Sequence, residues 1–261
     1  MNLNRTVKRY NARKPDDEEL LKEDIIRLAS KYGRYGYRRI TALLRNEGWE
    51  VNHKRVERLW RELGLRVPKK QKKRGRLYLG NSSCIRLKPL YQNHVWSYDC
   101  VEDRLACGRK YKCLTIMDEF TRESLKIRVE YNIASRHVLE TLSELFLLKG
   151  IPEFIRSDNG SEFIAKSVQD FIRDVGAKTA YITPGSPWEN GFIERFNGSL
   201  RDELLNREVF YTLAEARAMI ENYRQEYNKI RPHSSLNYMA PETFVIFTKT
   251  LPNYLVQKSG A

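Results

Sequence analysis

Cysteine and histidine are scarce in this sequence, and it has no long apolar run. The four cysteines (Cys84, Cys100, Cys107, Cys113) show no CxxC spacing, and the four histidines (His53, His94, His137, His233) complete no zinc-finger pattern. This argues against a disulfide scaffold or a zinc module, and the cysteines read as reduced, small apolar residues in a reducing compartment. The longest purely apolar stretch is a few residues, Leu145, Phe146, Leu147 and Leu148, against the roughly 20 that a membrane span needs. No apolar stretch follows Arg5, Lys8 and Arg9, so the basic N-terminus does not read as a signal peptide. Sustained heptads and internal repeats are missing too. The expectation is a cytoplasmic protein without a membrane partner.

What is present is a globular balance, 41% hydrophobic and 31% charged over 261 residues, with a net charge of +14. That charge is uneven. Residues 1–90 hold 25 Lys+Arg and 10 Asp+Glu, while residues 91–261 hold 22 and 23. A positive field confined to one segment fits a polyanion, most often nucleic acid, through counterion release; a merely solubilising basic surface is the alternative.

Three segments follow. Residues 1–64 form an N-terminal domain with three helices. Leu21, Ile25, Leu28 and Tyr32 repeat at helical spacing, Tyr37, Ile40, Leu43 and Leu44 mark a second helix ending at Gly48, and Asn52 caps a third. Val56, Leu59, Trp60 and Leu63 give that third helix its apolar face, and Lys54, Arg55, Arg58 and Arg61 its basic one. This suggests a helix-turn-helix whose last helix meets DNA, with a small bundle bearing an ordinary solvated face as the rival. Residues 65–90, containing Pro68–Gly75 with its block of cations, read as a basic linker. From residue 91 to 261, strands at 94–103, 110–117 and 124–129 precede a helix at 135–149, a short strand at Phe154–Ile155, a helix through Val168 and Ile172, a strand at 179–182, and helices near 189–206 and 213–230. Three consecutive strands followed by alternating helices and strands predict an α/β fold around a mixed sheet.

Three acids stand out. Asp99 lies in a strand otherwise made of Trp, Tyr and Val, where a carboxylate is costly without a partner. Asp158 sits where a strand gives way to an Asn-Gly turn, the rim where α/β sheets bind ligands. Glu194 shares a helix face with Asn197, Gly198 and Arg201, away from Phe192, Ile193, Phe196 and Leu200. Meeting at one point, the three would need cations between them. Hard oxygen donors suit Mg²⁺ or Mn²⁺, and two such ions make a clamp for displacement at phosphorus. Spacing alone carries little weight, because 33 acids in 261 residues put one at about every eighth position. Asp103, Asp118, Glu162 and Glu189 read as surface, turn or capping residues.

The motifs Trp96-Ser-Tyr-Asp99, Met117-Asp-Glu-Phe-Thr-Arg122, Arg156-Ser-Asp-Asn-Gly-Ser-Glu-Phe163 and Pro184–Asn197 resemble the catalytic core of insertion-sequence transposases of the family-three type, which is similar to that of retroviral integrases. Tyr227-Asn-Lys-Ile-Arg-Pro-His233 with Leu236 and Pro241 resembles that family's C-terminal signature. Tyr32–Ile40 through Val56–Trp60 resembles its helix-turn-helix. The resemblance spans about residues 20–247 in order. It implies an RNase H-like mixed sheet flanked by helices, preceded by the small all-α domain. It also implies that Asp99, Asp158 and Glu194 are the catalytic, metal-holding triad, with two Mg²⁺ or Mn²⁺ ions when DNA is bound. The implied activity is 3′-end cleavage and strand transfer on double-stranded DNA, at element ends and at a target. Further implications are a bacterial protein, nucleoid-associated when on DNA, a homo-oligomer there, and an upstream-frame product as fusion or partner. The chain looks like the downstream frame alone and leaves no room for the small barrel that ends retroviral integrases. A non-catalytic DNA-binding regulator of transposition is the alternative. A nuclease on RNA–DNA hybrids is a third, disfavoured by the basic helix-turn-helix.

Arg195, Asn197 and Arg201 are expected to reach phosphates. Trp188, with Asn190 and Gly191, reads equally as a mobile wedge or a packing anchor. Asn159 and Gly160 are turn residues that flank Asp158, and His233 reads as structural.

Overall fold

A computed structural model describes residues 16–68, 87–157, 165–181 and 190–250. The chain divides into two compact units, residues 1–71 and 72–261.

The first unit packs three helices, α1 (Glu18–Lys31), α2 (Tyr37–Asn46) and α3 (His53–Glu62). Leu21, Ile25 and Leu28 of α1, Ile40, Leu43 and Leu44 of α2, and Val56, Leu59 and Trp60 of α3 are buried, as the helical spacing requires. The Asn52 side chain accepts the Lys54 backbone N–H at 3.0 Å and so satisfies one of the orphan donors at the start of α3. Gly48 follows α2 at φ +97°, a conformation that side-chain-bearing residues rarely adopt.

The second unit is built on one five-stranded sheet. Its strands are β1 (Val95–Arg104), β2 (Lys110–Asp118), β3 (Ser124–Glu130), β4 (Phe154–Ser157) and β5 (Lys178–Tyr181), in the order β3-β2-β1-β4-β5. β1–β2 and β2–β3 are antiparallel; β1–β4 and β4–β5 are parallel. The mixed sheet is thus as expected, with strand ends one or two residues from the predicted ones. Helices α4 (Ser135–Lys149), α5 (Lys166–Asp174), α6 (Gly191–Leu200), α7 (Leu213–Lys229) and α8 (Pro241–Thr250) accompany it, and α6 runs on into a wide turn at Arg201–Leu205. Trp96, Tyr98, Leu114, Ile116 and Ile155 pack with α4 and α5 residues such as Leu142 and Val168. Val101, Cys113 and Met117 pack on the other side with Ile193, Phe196 and Leu200 of α6 and Ile220 and Tyr227 of α7. Strand alternation produces both faces from one set of strands. Among the described residues, no helix is long and apolar enough to cross a membrane.

Of the surface, turn and capping readings, Asp118 takes the turn-capping one. It is buried at the end of β2, where burial pushes its carboxyl pKa up and hydrogen bonds hold it down. It accepts from the backbone N–H groups of Phe120 and Thr121 at 2.8 Å, from the Thr121 hydroxyl at 3.1 Å and from the Asn93 N–H at 2.7 Å. The turn and capping parts of its reading hold. Cys100, Cys107 and Cys113 are free thiols; Cys84 lies outside the described residues.

Candidate active site

Period-two alternation along β1 sends Trp96 and Tyr98 toward α4 and α5, and Ser97, Asp99 and Val101 toward α6 and α7. Asp99 is therefore half-buried under α6, opposite Thr115 of β2. Its Oδ1 accepts the Cys100 N–H at 2.7 Å, and its Oδ2 accepts the Asn197 amide at 2.8 Å. The Asn197 carbonyl oxygen in turn accepts the Thr115 hydroxyl at 2.9 Å. Buried and bonded at both ends of its amide, Asn197 is a clamp on Asp99 rather than the phosphate-reaching surface residue expected. A strand carboxylate that would otherwise swing is held with one rotamer and two charge-assisted hydrogen bonds.

Glu194 lies three residues before Asn197, one turn along α6, so the two side chains are neighbours on that helix. Ile193, Phe196 and Leu200 anchor the opposite stripe in the core, leaving Glu194 exposed. Arg195 is exposed beside it. Arg201 is exposed as well, with its guanidinium donating to the Glu102 carbonyl at 2.7 Å. β4 runs parallel to β1 and ends at Ser157, one residue past the Ser97–Arg156 pair. Asp158, Asn159, Gly160, Glu162, Trp188 and Glu189 lie outside the described residues. Among the described residues, no three metal-ligating side chains cluster. The two described acids supply carboxylate oxygens only, the donor chemistry that suits a hard divalent cation.

The same face carries a buried ion pair that the sequence did not signal. Arg156 donates to both oxygens of Glu119 at 2.8 and 2.9 Å and to the Leu87 carbonyl at 2.9 Å, and Glu119 accepts the Ser97 hydroxyl at 2.6 Å. Its one clue is an arginine in an otherwise apolar short strand. Below α6, Arg231 pairs with Glu203 at 2.7 Å, donates to the Ser199 hydroxyl at 3.1 Å and lies 3.3 Å from His233 Nε2. His233 is thereby part of a buried structural network. The Arg122 guanidinium stacks 3.8 Å over the Phe192 ring at the start of α6.

In the helical unit, the basic face of α3 is less open than its spacing implies. Arg55 pairs with Asp17 at 2.5 Å, Arg58 with Glu18 and Glu62 at 2.6 Å, and Arg61 with Glu57 at 2.6 Å. Arg55 and Arg58 tie α3 to the start of α1, and Arg58 stays exposed. Lys54 is exposed.

The sequence matches the integrase core domain family over residues 90–187 and again over 175–241, and an HTH-like domain over 15–73. It is 41% identical to a 31.7 kDa protein of insertion element IS407 from Burkholderia multivorans, covering 93% of this chain and 86% of the relative. It is 32% identical to the transposase for insertion sequence element IS904 from Lactococcus lactis, covering 87% and 94%. In three dimensions it is similar to a chain in a cryo-EM structure of the simian T-cell lymphotropic virus intasome in complex with PP2A regulatory subunit B56 gamma. That likeness has a TM-score of 0.53 at 15% identity, over 87% of this chain and 76% of the other, and it supports the RNase H-like integrase-core fold.

Proposed function

The chain belongs to the insertion-element transposase family, DNA phosphoryl-transfer enzymes with an integrase core domain, and from that premise we propose that it cuts element ends and joins them to target DNA through Asp99, Asp158 and Glu194. In the first step water attacks the phosphodiester at the element end and the 3′ oxygen leaves as a free hydroxyl. In the second, that hydroxyl attacks a target phosphodiester and displaces its 3′ oxygen, so no protein nucleophile is needed. Asp99, Asp158 and Glu194 would hold Mg²⁺ or Mn²⁺, two ions with DNA bound, and these would supply Lewis-acid activation of the attacking oxygen and stabilisation of the leaving one.

The chain's own residues orient and hold. Asn197 fixes the Asp99 carboxylate, the core stripe of α6 presents Glu194, and Arg195 and Arg201 offer charge to phosphates. The observation that carries the reading is the 2.8 Å hydrogen bond between Asn197 and Asp99. It joins residues 98 positions apart and lays the helix that carries Glu194 against the strand that carries Asp99. The helical unit serves DNA binding, with self-association and an upstream-frame partner belonging to the same proposal.

The test is incubation of the purified chain with Mg²⁺ and a labelled oligonucleotide carrying an element end. Strand joining by the wild type, abolished in Asp99→Asn, Asp158→Asn and Glu194→Gln, supports the proposal. Binding with no product from any of the four proteins supports the non-catalytic regulator instead.

A further inference from the structure

The acids proposed to do the chemistry come from three distant places in the chain, yet the residues that precede them converge on Glu119. Ser97 stands two residues before Asp99 on β1, and its hydroxyl donates to the Glu119 carboxylate at 2.6 Å. Arg156 stands two residues before Asp158 in the sequence and donates to both Glu119 oxygens at 2.8 and 2.9 Å. Phe192 stands two residues before Glu194 on α6, and the guanidinium over its ring is that of Arg122, which also donates to the Glu119 backbone carbonyl. Glu119 is itself pinned. Its N–H donates to the Val95 carbonyl at 2.9 Å, and the Asp118 carboxylate caps the turn that follows. Arg122 ends that turn at φ +62°, a left-handed conformation that residues with side chains rarely adopt.

Glu119 and Ser97 are fully buried and Arg156 nearly so. Stability alone is a weak reason for such a group. Desolvation offsets much of the attraction in a buried ion pair, and apolar residues of similar volume often serve as well. What charge-assisted hydrogen bonds add is direction. Ser97 and Arg156 are partners in the β1–β4 register, so one carboxylate ties the two neighbouring strands just before the acids that follow in sequence. Resting on the reading of Asp99, Asp158 and Glu194 as the metal-holding acids, we propose that Glu119 is a positioning residue of that site. With Arg156 and Arg122 it sets the strand and helix segments from which the three acids extend, and through them the affinity for the divalent cation. Groups that orient metal ligands in this way change metal affinity or activity by about 10–100-fold when altered.

The test uses the full chain and reads two midpoints. One is the Mg²⁺ concentration for half-maximal strand joining on an element-end oligonucleotide. The other is Mn²⁺ binding to the DNA-free chain, followed by the electron paramagnetic resonance of the free ion. Glu119→Gln/Arg156→Met removes both charges from the interior together. It is expected to raise both midpoints by about 10–100-fold, while its melting temperature stays closer to wild type than that of Arg156→Met alone. Leu114→Ala, destabilised through a cavity on the apolar face, is expected to leave both midpoints unchanged. Arg122→Leu, which breaks the link to α6, is expected to shift them in the same direction as the double variant and replaces it if that one unfolds. A folded double variant with wild-type midpoints, or an equal shift in Leu114→Ala, overturns the proposal while the functional reading stands. A wild-type chain that neither joins DNA nor binds Mn²⁺ overturns both.

Discussion

The two faces of the central sheet come from the same strands and differ sharply in chemistry. Toward α4 and α5 the sheet presents Trp96, Tyr98, Leu114, Ile116 and Ile155, an apolar surface. Toward α6 and α7 it presents Ser97, Asp99, Thr115 and Arg156 among Val101, Cys113 and Met117. The first face provides stability by burial alone. The second holds polar groups that are costly to bury and tolerates them because each has a partner: Asn197 for Asp99, Glu119 for Arg156. A sheet built this way separates a purely apolar face from one that combines an apolar core with partnered polar groups, the face on which the proposed chemistry would take place.

That contrast breaks most visibly at the carboxylate. Asp99→Asn is expected to reduce strand joining by at least about 10³-fold while the melting curve and DNA affinity stay close to wild type; a loss of folding in parallel with activity would erase the distinction between the faces. Next comes the buried ion pair. Arg156→Met leaves the buried Glu119 carboxylate without its Arg156 counter-charge and is expected to destabilise by about 3–5 kcal/mol in urea unfolding, with Glu119→Gln/Arg156→Met recovering part of it. On the apolar face, Leu114→Ala is expected to lose about 2–5 kcal/mol through its cavity, with joining activity per folded molecule unchanged in single-turnover assays. The smallest effect belongs to the clamp. Asn197→Ala should lower joining by about 10–100-fold, and Asn197→Asp, which sets a second carboxylate against Asp99, should not rescue it.

How much of this was legible in the sequence follows from the range of the interactions involved. Local ones read well. Asn52 was recognisable as a cap, helix 135–149 was found at its observed bounds, and the alternation of β1 made Asp99 a carboxylate in need of a partner. The strand order was not legible, because the parallel pairing of β1 with β4 joins segments separated by two strands and a helix. Long-range pairing was likewise out of reach. Arg55 and Arg58 look free on a helical wheel, yet their acids, Asp17 and Glu18, lie 38 and 40 residues earlier. Asn197 looks like one more polar surface residue until α6 is laid across β1. Thr115, opposite Asp99 in the strand register, is the residue that period-two reasoning would have found.

The central claim is that Asp99 and Glu194 hold a divalent cation at the reacting phosphate, and exchanging the donor atom tests it most directly. Strand joining is measured for Glu194→Cys in Mg²⁺ and in Mn²⁺ or Cd²⁺, with the wild type alongside. A thiolate is a poor ligand for Mg²⁺ and a good one for softer ions. The account predicts no joining in Mg²⁺ and recovery with the softer ion. A Glu194→Cys chain that joins DNA in Mg²⁺ as fast as the wild type would contradict it.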